Sequence, residues 1–240
     1  MGGRRPDFSA DRKRDPYAVP AATSVQSQSQ QALSWRIPLP AQKRARAGRL
    51  PTLAAPRERI LEEAAKLFAH SGYDGSSVAD LAAALGVSKA AIYHYFTTKQ
   101  DIYDAIILAV LEGLTRHVGQ ALDQAASPTE RLRAFMLGHA RYFERHHAEF
   151  VTMLIGYSGM ALPEREDAAR LRDGYEKRLR AVIAQGVAEG VFRPLDVAAT
   201  YRAVLSMLNW MVRWYKPGMG DDAETIAAGY YELLVGGMRA

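Results

Sequence analysis

The chain has 240 residues, of which 48% are hydrophobic and 24% charged, and it contains no cysteine. The absence of cysteine excludes a disulfide scaffold, a cysteine-ligated zinc or iron–sulfur site and a thiol nucleophile. No apolar run approaches the roughly 18 residues that a membrane span needs, and the N-terminus lacks a signal-peptide pattern, so we expect a cytoplasmic protein.

The positive charge of the chain is concentrated at its N-terminus. The formal net charge is +5, but residues 1–55 contain ten basic and three acidic side chains, which leaves the remainder slightly acidic. A Ser/Gln-rich stretch at 24–31 and scattered prolines predict that residues 1–55 are a disordered basic tail. Two interpretations stay open: a basic arm attracted to phosphate, or a solvated extension that an upstream start codon would produce, which we favour.

From Pro56 onward the apolar residues recur at helical spacing, which predicts an all-α fold of about nine helices. The first helix runs from Pro56 to Gly72, and the second begins at the capping-box pattern of residues 77–80. Ser88 caps a third helix that ends near Phe96, and a second capping box at 98–101 opens a long fourth helix. Later helices are predicted at 128–146, 148–157, 163–190, 196–215 and 222–238.

Residues 57–104 have the pattern of a helix-turn-helix, in which the second helix of the motif lies in the major groove of DNA. The third predicted helix places Lys89, Ala90, Tyr93 and His94 on one face, where a small residue lets the backbone approach DNA. Tyr95 carries a polar tip on an apolar body, and Lys99 adds positive charge at the start of the fourth helix.

Each of these residues also has a plainer interpretation. The tyrosines could be core aromatics, and the lysines could be ordinary solvated side chains. The glycine turn predicted at 86–88 between the second and third helices, the two caps and the tyrosine spacing together favour DNA binding.

Four segments carry a family resemblance: Ile60–Phe68, Gly72–Tyr73, Ser77–Ala82 and Gly86–Phe96, with Lys99 following at the expected distance. In order and spacing they resemble the TetR (tetracycline-repressor-like) family of transcription regulators. The resemblance implies a homodimer that binds a palindromic operator and releases it when a small-molecule effector binds. It divides the chain into the tail, a DNA-binding domain at 56–104 and a ligand-binding and dimerisation domain at 105–240.

The same resemblance places DNA contacts on named residues. One departure is Ala79, where many members carry a polar or basic residue, and it weakens the expectation of a contact from the second helix. The implied DNA-binding residues are Ser77, Ser88, Lys89, Ala90, Tyr93, Tyr95 and Lys99, with His94 as a further candidate.

The predicted helix at 196–215 is apolar nearly all round, so we expect it to be covered on two sides. The resemblance implies dimerisation through the last two helices as a four-helix bundle; the alternative is that both apolar stripes belong to the core of one subunit. The predicted interface consists of Tyr201, Val204, Leu205, Leu208, Val212, Ile226, Tyr230, Leu233 and Leu234. The second stripe consists of Ala203, Met207, Trp210 and Trp214.

The segment 209–218, Asn-Trp-Met-Val-Arg-Trp-Tyr-Lys-Pro-Gly, resembles a TetR subgroup of which several members respond to acyl-CoA thioesters. Such a ligand needs an apolar slot for its acyl chain and cations for its phosphates. In the alternative interpretation the aromatics are plain core and Arg213 pairs with a carboxylate. The predicted ligand-binding residues are Phe135, Tyr142, Phe143, Phe150, Met153, Leu154, Tyr157 and Arg213.

Metal and catalytic sites are not expected, and no cofactor is implied. His139, His146 and His147 lack nearby acidic ligands, and adjacent histidines on a helix point about 100° apart. No glycine-rich phosphate loop, GxSxG motif or paired-carboxylate context is present. Two rival functions remain: an all-α small-molecule binding protein or enzyme whose helix-turn-helix is only scaffold, and an architectural DNA-binding protein with a close-packed aromatic face at 135–157.

Overall fold

The structure is a computed structural model that describes residues 56–156 and 162–238. The predicted tail at 1–55 and the candidate ligand residue Tyr157 lie outside the described residues. In the two described ranges the regular structure consists of nine α-helices and one 3₁₀ helix, which confirms the all-α prediction. The helices are α1 (Pro56–Ser71), α2 (Val78–Leu85), α3 (Lys89–Tyr93), α4 (Lys99–Asp123), α5 (Pro128–Arg145), α6 (His147–Gly156), α7 (Leu162–Ala188), α8 (Val197–Trp210), the 3₁₀ helix Met211–Arg213, and α9 (Ala223–Met238).

Three of these helices begin at a capping box. In each, a hydroxyl accepts a hydrogen bond from the backbone N–H three residues later, and the acidic residue at that position bonds back to the backbone N–H of the capping residue. Two of the boxes were predicted from the sequence, and the third, before α5, has the same pattern. The pairs are Ser77–Asp80 before α2, Thr98–Asp101 before α4 and Ser127–Glu130 before α5.

The turn between α2 and α3 depends on Gly86. This residue has φ 68°, a left-handed conformation that glycine adopts without steric cost. Its N–H bonds back to the carbonyl of Ala83 at 3.2 Å, and Ser88 then caps α3 by accepting from the N–H of Ala91 at 3.2 Å. The chain therefore reverses within three residues and starts α3 across α2, as predicted.

The predicted helix at 196–215 is interrupted near its end. α8 stops at Trp210 and a 3₁₀ helix follows, in which the N–H of Trp214 bonds to the carbonyl of Met211 at 3.1 Å. Met211 and Tyr215 are both buried. The continuous helix predicted to Tyr215 is therefore wrong for its last turn.

The buried apolar side chains form one continuous core, and α4 lies at its centre. α4 packs against α1, α5, α6 and α7, while α5 also packs against α7, α8 and α9. At the start of α4, Tyr103 contacts Phe68 of α1 edge-on, with ring centres 5.4 Å apart. The helix-turn-helix thus shares the core of the larger helical group through α4.

One described helix, α4, is long and apolar enough by length and composition to cross a membrane, contrary to the expectation from the sequence. Half of its most apolar window is buried inside the protein. A core helix of a soluble protein meets the same two criteria, so this finding is weak support for a membrane span.

Replacing Phe135 with alanine should lower the free energy of unfolding by about 3–5 kcal/mol, because a fully buried ring would be exchanged for a cavity. Chemical denaturation monitored by circular dichroism measures this change. Met219→Ala, at an exposed position, is the control and should change stability by less than about 0.5 kcal/mol. Equal effects of the two substitutions would contradict the packing of Phe135.

Candidate nucleic-acid interface and effector cavity

α3 ends at Tyr93 and not near Phe96 as predicted, and the residues that follow continue its two faces, of which the outer is exposed and the inner is anchored in the core. Ile92 and Phe96 are buried, whereas Tyr93 is 49% and Tyr95 42% exposed. The tyrosines are therefore not core aromatics. Seven of the eight predicted DNA-binding residues lie at exposed positions, namely Ser77, Ser88, Lys89, Ala90, Tyr93, His94 and Tyr95.

The two serines in this set already have structural roles. The hydroxyl of Ser77 donates to the carboxylate of Asp80 at 2.6 Å and accepts from the backbone N–H of the same residue at 3.1 Å. The hydroxyl of Ser88 accepts from the N–H of Ala91, and the described contacts leave its own proton uncommitted. Ser88 can therefore cap α3 and donate to a phosphate oxygen at the same time, but Ser77 would have to break its bond to Asp80.

Lys99 is the eighth predicted residue, and it is half-buried. Its ammonium group donates to the carbonyl oxygen of Ser76 at 2.8 Å and to that of Tyr73, and it lies 4.0 Å from the centre of the Tyr73 ring. Burial lowers the pKa of Lys99, and the charge of Asp74 opposes this change. Two of the three N–H donors therefore hold the α1–α2 loop against α4, and one is left for an outside acceptor.

Arg57 is a candidate DNA-binding residue that the sequence did not reveal. It lies in the first turn of α1, and its guanidinium carbon is 5.2 Å from the centre of the Phe96 ring at the end of the helix-turn-helix. This contact brings an exposed positive charge from α1 beside α3. Only the fold places the two helices together, so helix spacing within α1 carried no signal of it.

A cavity of about 740 Å³ lies among α4, α5, α6, α7 and α8. Its charged lining consists of three arginines, Arg172, Arg202 and Arg213, and one carboxylate, Glu176, whose Oε1 is 3.8 Å from Nε of Arg172. This balance favours a ligand with an anionic part. The apolar lining residues include Leu111, Leu114, Met153, Leu154, Leu205 and Val212.

Most of the predicted aromatic slot is part of the core and does not line this cavity. The rings of Phe143 and Phe150 meet edge-on with centres 5.4 Å apart, and both side chains are fully buried. Phe135 stacks on Tyr175 at 4.8 Å, and Tyr142 is buried against His146. The assignment of Phe135, Tyr142, Phe143 and Phe150 to ligand binding therefore finds no support in this cavity and stays a prediction. The cavity-lining members of the predicted set are Met153, Leu154 and Arg213.

Two polar side chains of the cavity form a buried pair. Nδ1 of His139 lies 2.8 Å from the hydroxyl of Tyr175, and both residues line the cavity. Nε2 of His139 is buried without a hydrogen-bond partner among the described protein groups. Burial lowers the pKa of His139 to about 3, so the imidazole is neutral. The sequence had singled out His139 only as a metal candidate, and residues 56–156 and 162–238 contain no group of three potential metal ligands.

The predicted dimer interface must also be corrected. Tyr201, Val204 and Leu208 are buried in the core of the subunit, and Leu205 and Val212 line the cavity. The outward side of α8 is the other stripe. Trp210 follows Val204 by six residues, so it lies about 240° around the helix from this buried residue, and it is 64% exposed. On α9, Leu233 is 71% exposed; the half-buried members of the predicted set there are Ile226, Tyr230 and Leu234.

Comparisons with known proteins agree with this architecture. The family model "Bacterial regulatory proteins, tetR family" matches residues 60–106, and "Tetracyclin repressor-like, C-terminal domain" matches residues 125–238. The HTH-type transcriptional repressor KstR2 of Mycobacterium tuberculosis is 30% identical over 184 residues, which cover 76% of this chain and 92% of that protein.

Two solved structures are similar along the same part of the chain. The TetR family transcriptional regulator PfmR from Thermus thermophilus is 51% identical, with a TM-score of 0.71, and covers 74% of this chain and 97% of its own. AibR, solved in complex with isovaleryl coenzyme A and operator DNA, is 27% identical with a TM-score of 0.67, and covers 75% of this chain and 97% of its own. The protein therefore belongs to the TetR family of transcription regulators.

Proposed function

We propose that the protein is a cytoplasmic, homodimeric repressor that binds a palindromic operator and is released by an acyl-CoA thioester, with no catalytic activity of its own. The observation that carries this proposal is that the exposed helix α3 belongs to a helix-turn-helix whose α1 packs against α4 and α6, and these two helices also line a cavity with an apolar and an arginine-bearing wall. Residues 56–104 act as the DNA-binding domain, and 105–240 as the effector and dimerisation domain.

The exposed face of α3 is suited to the major groove. Ala90 lets the backbone approach the bases, while Lys89, Tyr93 and His94 carry groups that can bond to base edges or phosphates. Tyr95 lies beside His94, with ring centres 5.0 Å apart, and extends the same surface. We assign Lys99 chiefly to positioning, because its ammonium holds the α1–α2 loop.

The cavity matches the two chemical parts of an acyl-CoA. The leucine, methionine and valine side chains suit an acyl chain, and the guanidinium groups suit phosphates. Arg213, which lies 5.8 Å from the centre of the Trp210 ring, supplies one of these guanidinium groups. The isovaleryl coenzyme A bound by AibR supports this ligand class.

Dimerisation is assigned to the outer faces of α8 and α9. Trp210 and Leu233 are large, apolar and mostly exposed in the single chain, which a second copy would cover. A two-fold interface of this kind is self-complementary, so the same faces meet from both subunits. It would fix the distance between the two copies of α3.

Helix α6 connects the cavity to the helix-turn-helix. Met153 and Leu154 line the cavity, and the adjacent Thr152 has a hydroxyl that is shared between two carbonyl oxygens, that of Ala148 in α6 at 3.0 Å and that of Ala65 in α1 at 3.3 Å. A ligand that shifts α6 therefore displaces α1 and changes the spacing of the two DNA-binding domains. The ligand acts through its different affinities for the two spacings.

The proposed function is tested by fluorescence anisotropy with DNA upstream of the protein's own gene or, if that DNA is not bound specifically, with duplexes selected from a random library. Specific binding should survive increased salt and be released by one member of a series from butanoyl-CoA to hexadecanoyl-CoA. Tyr93→Ala should weaken operator binding by roughly tenfold or more, the scale of a lost base contact. Met219→Ala is the control. Affinity no better than for scrambled DNA in all arms would contradict the proposal.

Lys99→Met should lower the free energy of unfolding by about 1–3 kcal/mol, because two carbonyl groups lose a charged donor. Operator affinity should fall with it as the α1–α2 loop loosens. Lys89→Met is the matched control: it removes an exposed lysine, so DNA affinity should fall while the unfolding transition stays in place. Normal stability of the Lys99 variant would refute the positioning role.

Thr152→Val keeps the shape of the side chain but removes the hydroxyl that is shared between Ala148 of α6 and Ala65 of α1. We expect acyl-CoA affinity of the DNA-free protein to be nearly unchanged, while the ligand-induced loss of operator affinity shrinks by roughly fivefold, within the usual range of coupling energies. Calorimetry and anisotropy measure the two quantities. Thr129→Val is the control on α5, and an unchanged response in the Thr152 variant would exclude this route.

A further inference from the structure

The pair His139–Tyr175 is an unusual feature in the wall of the cavity. His139 is 2% exposed, and its ring meets Phe150 edge-on at 5.3 Å, while the ring of Tyr175 stacks on Phe135 at 4.8 Å. The hydrogen bond of 2.8 Å between them satisfies Nδ1 but leaves Nε2 without a partner among the described protein groups. A buried polar atom without a partner costs about 1–3 kcal/mol, so such an atom in a cavity wall calls for a ligand group.

The chemistry of the pair decides what that group is. A phenol is a stronger acid than a neutral imidazole, and an imidazole nitrogen is a better acceptor than a phenol oxygen, so Tyr175 donates to Nδ1. The proton of the neutral ring then resides on Nε2, which becomes a hydrogen-bond donor. The ligand group must therefore be an acceptor.

The charge state of the His139–Tyr175 pair limits which acceptor group of a ligand can bind to Nε2. Burial lowers the pKa of His139 to about 3 and raises the pKa of Tyr175 well above its ordinary value, so both groups stay neutral. A carboxylate beside this pair would find no opposite charge on either partner, and only the arginines elsewhere in the cavity wall could compensate it. A neutral oxygen acceptor such as a carbonyl needs no such compensation.

We propose that Nε2 of His139, held by the hydroxyl of Tyr175, donates a hydrogen bond to the thioester carbonyl oxygen of the effector. This inference rests on the proposed function and names the part of the cavity that recognises the acyl–sulfur linkage. The arginines then bind the anionic part of the same ligand, and the apolar wall covers the acyl chain. The His139–Tyr175 pair makes the protein selective for a thioester over a ligand of equal length without a carbonyl.

The test compares each acyl-CoA, from butanoyl to hexadecanoyl, with the S-alkyl-CoA thioether of the same length, in which the carbonyl is replaced by a methylene. Titration calorimetry on the full chain should show that the wild type binds the best thioester roughly tenfold more tightly than its thioether, the scale of one well-placed hydrogen bond. In His139→Leu this preference should disappear. His139→Gln, which restores an N–H donor, should recover part of it, and Tyr175→Phe should reduce it.

The preference is a ratio of two affinities, so a general loosening of the cavity does not imitate the effect. Leu205→Ala is the matched control: it shortens an apolar wall residue and should weaken thioester and thioether equally. Equal binding of the two ligands by the wild type, with operator release intact, would overturn the carbonyl contact and leave the proposed function standing. Failure to bind either ligand, with specific DNA binding intact, would overturn both the acyl-CoA assignment and this contact.

Discussion

The ammonium of Lys99 holds the helix-turn-helix on the helix that also forms the cavity. It bonds to the carbonyls of Tyr73 and Ser76 at the first residue of α4, and about three turns later Leu111 and Leu114 of the same helix line the cavity. α4 has 25 residues and is about 37 Å long if straight, so a displacement at one end reaches the other as motion of one body. The rest of the mechanism depends on this connection.

A single connection would let the helix-turn-helix swing around the start of α4, and α6 provides the second. Thr152 of α6 contacts α1, and the next residue, Met153, lines the cavity. The contact with the helix-turn-helix and the wall of the cavity are therefore formed by adjacent residues of one helix. With contacts to both α4 and α6, the helix-turn-helix is fixed in orientation as well as in position. A contact to α4 alone would fix only its position. Under the proposed function, a ligand that separates α4 from α6 would rotate α1 and with it α3, whereas a displacement of α4 alone would not.

The features that were predictable from the sequence are local. The caps at Ser77 and Thr98 and the left-handed glycine at 86 depend on residues within four positions, and the outer face of α3 follows from its helical spacing. Spacing says which residues share a face but not what covers that face. For this reason Phe143 and Phe150 were assigned to a ligand slot although other aromatics fill the space around them, and the buried stripe of α8 was assigned to the dimer. The cavity needed the fold, since five helices contribute to it.

His139 shows the same limit in its chemistry. In the sequence His139 stands near other histidines that lack acidic ligands, so no metal site was expected there, and its partner Tyr175 lies 36 positions away on α7. Once the two are adjacent, burial removes the charge from the imidazole and turns a candidate metal ligand into a neutral donor in an apolar wall. Under the proposed carbonyl contact, the neutral donor recognises the thioester linkage and the arginines recognise the charge, so neither free CoA nor a fatty acid would satisfy both parts of the cavity. Discrimination between an activated acyl group and its two hydrolysis products then follows from the arrangement of the cavity itself.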